Sequence, residues 1–222
     1  MTATGIDVRG RRPTSRDYVA AELRQAIVRG ELGGGDKLNP ADIAERYGVS
    51  QTPAREALQL LASEGLVRND AFRGARVAEL SAEEYEELYL MRIGLEDLAA
   101  RLGAERISDE AIGEMTELLE QMASAAQEAD IDRFYMLDRR FHLTHYSASG
   151  RQSLVDRIMH LRLSSERYAR AAYALPRVSM KETLDTHREL LAAVRARDGD
   201  RCAAVLNDDL TRTLETFREQ FS

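Results

Sequence analysis

Cysteine is almost missing from this 222-residue chain, where Cys202 stands alone. One cysteine excludes an internal disulfide framework and a cysteine-rich zinc site, and it fits a reducing compartment. Tryptophan is absent, and there are only four prolines and 14 glycines. Collagen-like and low-complexity classes are therefore excluded. No apolar run of about 18 residues occurs, so no membrane span is expected. The opening "MTATGIDVRGRRPTSRD" lacks the apolar centre of a secretory signal. It reads as a flexible arm over residues 1–15, and the protein is expected in the cytoplasm.

What is present suits a packed core, with 44% hydrophobic and 31% charged residues. The net charge of −7 hides an asymmetry. Residues 1–78 hold 12 Lys+Arg against 10 Asp+Glu, a net of +2, and the rest hold 19 against 28, a net of −9. A mildly basic first part and an acidic remainder point to nucleic acid at one end only.

Apolar spacing predicts a helix over 16–30, with Tyr18, Val19, Leu23, Ala26 and Ile27 on its stripe and Gly30 as its stop. A turn-rich "ELGGGDKL" follows. Pro40 opens a short helix that Gly48 ends, and Ser50 is the N-cap of a third helix with Pro53 in its first turn. That helix runs to Gly65. "LVRN" and "ARVAEL" read as short strands around Gly74. Three helices and a hairpin make a winged helix-turn-helix over 16–79. From Ser81, which with Glu84 forms a capping-box pattern, six helices are expected: 82–104, 108–128, 130–148, 151–173, 179–197 and 199–221. The fold class is mainly α, a winged helix-turn-helix followed by an antiparallel six-helix bundle over 80–222.

In a helix-turn-helix the second helix of the pair presents its N-terminal residues to base edges. Ser50, Gln51, Thr52 and Arg55 open that helix. Hydroxyls and an amide exchange hydrogen bonds with phosphates and bases, and Arg55 reaches a guanine edge or a phosphate. Helix capping and an internal ion pair would also account for these residues in an isolated helix. The preceding "YGVS" turn and the Gly74 hairpin favour DNA.

"ADIAERYGVSQTPAREALQLLASEGLV...FRGARV" resembles the DNA-binding domain of the GntR family of bacterial transcription regulators. The resemblance implies that Ser50, Gln51, Thr52, Pro53 and Arg55 lie at the DNA, with Arg73 and Gly74 on the wing. Gln51 stands where the family commonly has arginine, and Ala41 where some members have one. The segments "LYLMRIGLEDLAARLGAERIS", "LDRRFHLTHYSASGRQSL" and "DTHRELLAAVRARDGDRCAAVLNDDL" resemble the FCD ligand-binding domain of the FadR subfamily. Six helices rather than seven are similar to its VanR-like group. The resemblance implies a homodimer on an inverted-repeat double-stranded DNA operator, a small carboxylate effector and a divalent metal such as zinc, nickel or manganese. The ligand positions map onto Asp138, His142, His187 and Asp209. The last is usually histidine.

The residues of the bundle point to a polar centre on their own account. Asp138, His142 and His145 fall within about 60° of arc on one helix, together with Ile131 and Phe134. His187 lies between Leu184, Leu191 and Val194. Such groups could hold a divalent ion, with His145 in reserve, or be hydrogen-bonded core residues, with Asp138 and His142 a plain i,i+4 pair. Arg92 lies among Leu88, Met91, Leu95 and Leu98. It could meet an effector carboxylate or pair with Glu96. Tyr89 and Arg162 are further effector candidates, with packing and a solvated surface charge as their alternatives. No HExxH, GxSxG or P-loop pattern is present. The expected function is a DNA-binding repressor, not an enzyme. Alternatives are a metal-dependent hydrolase with a DNA-binding head, or a DNA-binding protein whose bundle only dimerises.

Overall fold

Most helices begin where a short polar side chain can satisfy free N–H groups of the first turn. A computed structural model describes residues 14–70, 74–79, 81–173 and 180–221. In it Thr14, Asn39, Ser81, Ser108 and Asp130 each accept a backbone N–H at a helix start. Most of the arm expected over 1–15 lies outside the described residues. Thr14 and Ser15 belong to the first helix instead, because Thr14 and Asp17 form a reciprocal capping box. At Ser81 only half of the expected box forms. Its hydroxyl accepts from Glu84 N–H at 3.3 Å, while the Glu84 carboxylate accepts from the Tyr168 hydroxyl at 3.0 Å.

The chain divides into two units, Met1–Leu80 and Ser81–Ser222. The first holds α1 (Ser15–Val28), β1 (Lys37–Leu38), α2 (Pro40–Tyr47), α3 (Gln51–Ser63), β2 (Val67–Asp70) and β3 (Gly74–Val77). Gly48 ends α2 at φ +65°, a left-handed conformation that glycine adopts without steric cost. The strands form an antiparallel sheet in the order β1-β3-β2, with Val67 opposite Val77 and Lys37 opposite Arg76. Leu38, Val67 and Val77 are buried with Leu23, Leu58 and Leu61 of the helices. Tyr18, expected on the inward stripe of α1, is 49% exposed. It stands edge-on to Tyr47.

The second unit holds α4 (Ala82–Arg106), α5 (Asp109–Gln127), α6 (Ile131–Ser147), α7 (Gln152–Tyr173), α8 (Met180–Arg195) and α9 (Gly199–Phe221). α4 lies against α9, α7 and α6, and α5 against α6 and α8. A core of Met115, Leu118, Phe134, Phe141, Ile158 and Leu190 fills the space between them. A smaller aromatic cluster joins Tyr85 and Tyr89 of α4 to Tyr168 and Phe217. The seat of α6 on α4 is set at Gly103. A Cβ there would stand 2.5 Å from the His145 carbonyl oxygen. Both partners are packed helix backbone, so neither can yield cheaply. Gly103→Ala should destabilise the chain by about 1–3 kcal/mol despite its better helix propensity. Denaturant unfolding that finds it neutral or stabilising would show that α6 can shift on α4.

Candidate functional site

α6 delivers two ligand-type side chains one turn apart. Asp138 and His142 are at i and i+4, so they share a face. α8 brings His187 to the same point. One donor atom from each of Asp138, His142 and His187 lies within 4.8 Å of the other two. His187 Nε2 stands 2.9 Å from Asp138 Oδ1, and His142 Nε2 stands 3.5 Å from it. Both imidazoles are buried.

Hydrogen counting tests whether these residues fit a metal. His187 Nδ1 is 2.7 Å from the Thr183 carbonyl, an acceptor, so this nitrogen carries a hydrogen. A neutral ring has no second hydrogen to give Asp138. Either the ring is an imidazolium or a cation sits between Nε2 and the carboxylate. His142 tells the same story. The Tyr146 hydroxyl donates to Glu96 Oε2 at 2.6 Å, which leaves it to accept from His142 Nδ1 at 3.3 Å. Both Nε2 atoms face one carboxylate oxygen, and the outer nitrogens are held by second partners as metal-bound histidines are. Two imidazoles and a carboxylate suit zinc, nickel or manganese.

The electrostatics are set by a buried chain of charges. Glu96 is fully buried on α4. Its Oε1 accepts from Arg92 Nε at 2.6 Å and its Oε2 from Arg162 Nη1 at 2.8 Å. Arg162 Nη2 then donates to Asp138 Oδ2 at 2.7 Å. Burial works to raise the Glu96 pKa, but Arg92 and Arg162 outweigh it and hold the carboxyl at about 2. Burial likewise opposes ionisation of Asp138, and Arg162 and His142 keep it well below the usual carboxylate range. Burial and the charge of Arg162 push His142 down to about 3, against the pull of Asp138. His187 is raised: burial lowers it, and its bond to Asp138 overcomes this. The two imidazoles share one carboxylate yet move in opposite directions: the charge of Arg162 adds to burial at His142, whereas Asp138 and the Thr183 carbonyl outweigh burial at His187.

Over this chain opens a cavity whose room for water centres is about 160 Å³. One water needs about 10–15 Å³ on that measure, so the space suits a small organic molecule. Arg92, Arg162, His142 and His187 line it together with apolar Leu206 and Phe217. Asp209 and Tyr89 are on its wall as well. Asp209 is not brought into the group of three, and its Oδ1 accepts from Arg212 at 2.7 Å. It still acts on His187 through its charge.

Several expectations need correction. Arg162 is no solvated surface charge, since it is buried between two carboxylates. His145 is not brought to the metal group. It faces α4, where Nε2 donates to the Ala100 carbonyl at 3.2 Å. Ile131 is 40% exposed and lies off the inward stripe. Met91 and Leu98 are each 47% exposed, so the buried face of α4 runs through Leu88, Arg92 and Glu96 instead. Arg92 pairs with Glu96 and also lines the cavity, with Tyr89 beneath its guanidinium at 4.8 Å. Tyr146 was missed, although its i+4 spacing from His142 could have drawn attention to it. Glu96 was legible only as a partner of Arg92.

In the first unit, Ser50, Gln51, Thr52 and Arg55 are exposed at the start of α3, and Pro53 is half-buried. Ser50 occupies the N-cap position without a side-chain cap bond, so its hydroxyl stays available. Among the described residues, Arg55 forms no ion pair. Gly74 opens β3 at φ +75°. Arg73 lies outside the described residues.

Each of the two units matches a known protein domain. Residues 16–77 match the model for bacterial regulatory proteins of the gntR family, and residues 87–212 match the FCD domain. The chain is 32% identical to the Nta operon transcriptional regulator of Aminobacter aminovorans, over 77% of this chain and 79% of that protein. It is 30% identical to the gluconate operon transcriptional repressor of Bacillus licheniformis, over 82% and 76%. The solved structure of Escherichia coli McbR/YncC matches with a TM-score of 0.82 at 25% identity, covering 94% of this chain and 99% of that one.

Two outcomes test the charges of the second unit. Glu96→Gln should cost about 3–5 kcal/mol, because two buried guanidinium groups lose their shared counter-charge. A loss under 1 kcal/mol on denaturant unfolding would mean that water replaces the carboxylate. The second concerns His145, whose pKa burial lowers to about 4 against its bond to Ala100. The unfolded chain takes up this proton first as pH falls, so stability is lost between about pH 6.5 and 4, by roughly 3 kcal/mol. The unfolding free energy of wild type relative to His145→Gln should shrink by that amount over this window. A constant difference would contradict the assigned burial.

Proposed function

This chain belongs to the gntR family of bacterial regulatory proteins and carries an FCD domain, and on that premise we propose a cytoplasmic, homodimeric repressor controlled by a metal-bound effector. It is a DNA-binding transcription regulator rather than an enzyme, as its two regulatory domains and its relatives' names state. In the proposed reading, residues 16–79 bind double-stranded DNA and residues 80–222 bind the effector and dimerise. Ser50, Gln51, Thr52, Pro53 and Arg55 meet the operator, with Arg73 and Gly74 on the wing. Two such heads read the half-sites of an inverted repeat.

Asp138, His142 and His187 would hold a divalent ion, zinc, nickel or manganese, with Asp209 as fourth ligand. The observation that carries this is the pair of buried Nε2 atoms that face one carboxylate oxygen. A bound ion there would supply positive charge for a small carboxylate effector. Tyr89, Arg92 and Arg162 would line that effector's cavity, while Arg162 and Glu96 keep Asp138 ionised and aimed. Effector binding then changes operator affinity by a coupling of about 1–3 kcal/mol.

On DNA, Arg55→Ala should cost about 1–3 kcal/mol of operator binding in a footprint titration. Unchanged binding would remove α3 from the interface. For the ion, elemental analysis of purified protein should find less metal in His187→Ala than in wild type. Equal content in both would take His187 out of the site.

A further inference from the structure

Tyr146 is fully buried on α6, one turn after His142, and its ring lies 5.7 Å from the His142 ring at an angle of 29°. Its hydroxyl has a single hydrogen. Glu96, ionised between two guanidinium groups, can only accept, so that hydrogen goes to Glu96 Oε2 at 2.6 Å. Toward His142 the hydroxyl oxygen is therefore an acceptor, and His142 Nδ1 donates to it at 3.3 Å. Among the described residues these are the hydroxyl's two partners, and Tyr146 is the one partner of His142 Nδ1.

Glu96 does not need this hydroxyl. Arg92 and Arg162 already hold both of its oxygens. A phenylalanine would fill the same space without bringing a polar group into the core. The imidazole is the group that gains. With Nδ1 fixed as the donor, a neutral His142 turns the free electron pair of Nε2 to the point it shares with Asp138 and His187. Without a partner at Nδ1 the two tautomers compete, and only part of the population is ready for an ion.

The bond also leads to another helix. His187 Nδ1 is held by the Thr183 carbonyl, one turn back on α8 itself. The His142 bond passes instead through Tyr146 to α4. Asp138 reaches the same atom, since Arg162 donates to both Asp138 Oδ2 and Glu96 Oε2. Two of the three candidate ligands thus lead to Glu96 Oε2, and Glu96 Oε1 holds Arg92 on the cavity wall. Coordination at His142 Nε2 draws density from the ring and makes Nδ1–H a stronger donor. A hydroxyl that accepts a stronger bond donates a stronger one. The 3.3 Å link lies beyond the usual N–H···O range of about 2.7–3.2 Å, so it has room to tighten, whereas the 2.6 Å link is already short.

We propose that Tyr146 is a positioning residue for the ion site, and that its hydroxyl registers whether an ion is bound. This rests on the divalent-ion reading above and adds to it the side chain that holds His142 ready and ties it to α4.

Zinc alone is the probe, titrated against a competing chelator into the metal-stripped full chain. Tyr146→Phe should bind zinc about 10–100-fold more weakly, with its helical circular dichroism unchanged. Zinc has no absorption of its own here, and the chain has eight tyrosines and no tryptophan, so the near-ultraviolet difference spectrum reports tyrosine. In wild type, zinc should shift tyrosine absorption to longer wavelength, as a phenol donating a stronger bond does. Tyr146→Phe should lose that band, and Tyr85→Phe, in the separate aromatic cluster, should keep it. A second measurement needs no variant and stands even where Tyr146→Phe fails to fold. In the proton NMR spectrum of wild type, an imidazole N–H signal should move downfield with zinc. A folded Tyr146→Phe that binds zinc as tightly as wild type overturns the role of Tyr146 and leaves the ion site standing. So does a wild type whose tyrosine spectrum and imidazole N–H signals ignore bound zinc. A Tyr146 that only fills space would alter unfolding and move none of these readouts. A wild type that takes up no zinc, nickel or manganese overturns the ion site and this inference with it.

Discussion

A fully buried carboxylate held between two guanidinium groups is the constraint on which the second unit depends. Glu96 on α4 accepts from Arg92 on the same helix, from Arg162 on α7 and from Tyr146 on α6. Water cannot replace these partners at a site with no solvent access, so the three helices must meet there in one arrangement. Such a set adds little net stability, because desolvation offsets much of the attraction. Its effect is on geometry. Arg162 spends one nitrogen on Glu96 and the other on Asp138, which fixes the carboxylate that His142 and His187 face.

Charge counting explains why an ion and an anion would belong together there. Glu96 and Asp138 balance Arg92 and Arg162, so the chain of four is neutral. A divalent cation added to it, with Asp209 as a further ligand, would leave one positive charge. A carboxylate ligand offsets that surplus, so ion and effector would each strengthen the binding of the other, by reciprocal amounts. The apolar wall of Leu206 and Phe217 would strengthen such interactions by limiting water around them.

The helices of this chain could be read from sequence because a polar cap, a 3.6-residue apolar period or both mark most of them. All six helices of the second unit lie within about two residues of their expected bounds. Asp138 and His142 were legible because they are one turn apart, and His187 because it interrupts an apolar stripe. β1 was not, since two residues show no period. Arg162 was not, because its partners Glu96 and Asp138 are 66 and 24 residues away and only the fold unites them. Met91 and Leu98 misled for a different reason. They are as apolar as Leu88, and composition does not say whether a helix face meets its own chain or another. Asp209 stays between the cases: the resemblance pointed to it as a ligand position, and the structure sets it on the cavity wall, bonded to Arg212.

α4 is where these separate features join. One face carries Arg92 and Glu96, and through Arg162 it touches the carboxylate at the centre of the cavity. The other carries Leu90, Gly94 and Leu98. The helix is 25 residues long, so it is about 37 Å of stiff rod. A rod cannot move one face without the other. An occupant that draws Arg162 toward the cavity changes the hold on Glu96, and any adjustment of α4 that follows appears at its apolar face as well. The same rod begins at Ala82, directly after the DNA-binding unit in sequence. A face that lines the cavity and the start of the second unit thus share one helix, a physical connection through which an occupant of that cavity could act on the rest of the chain.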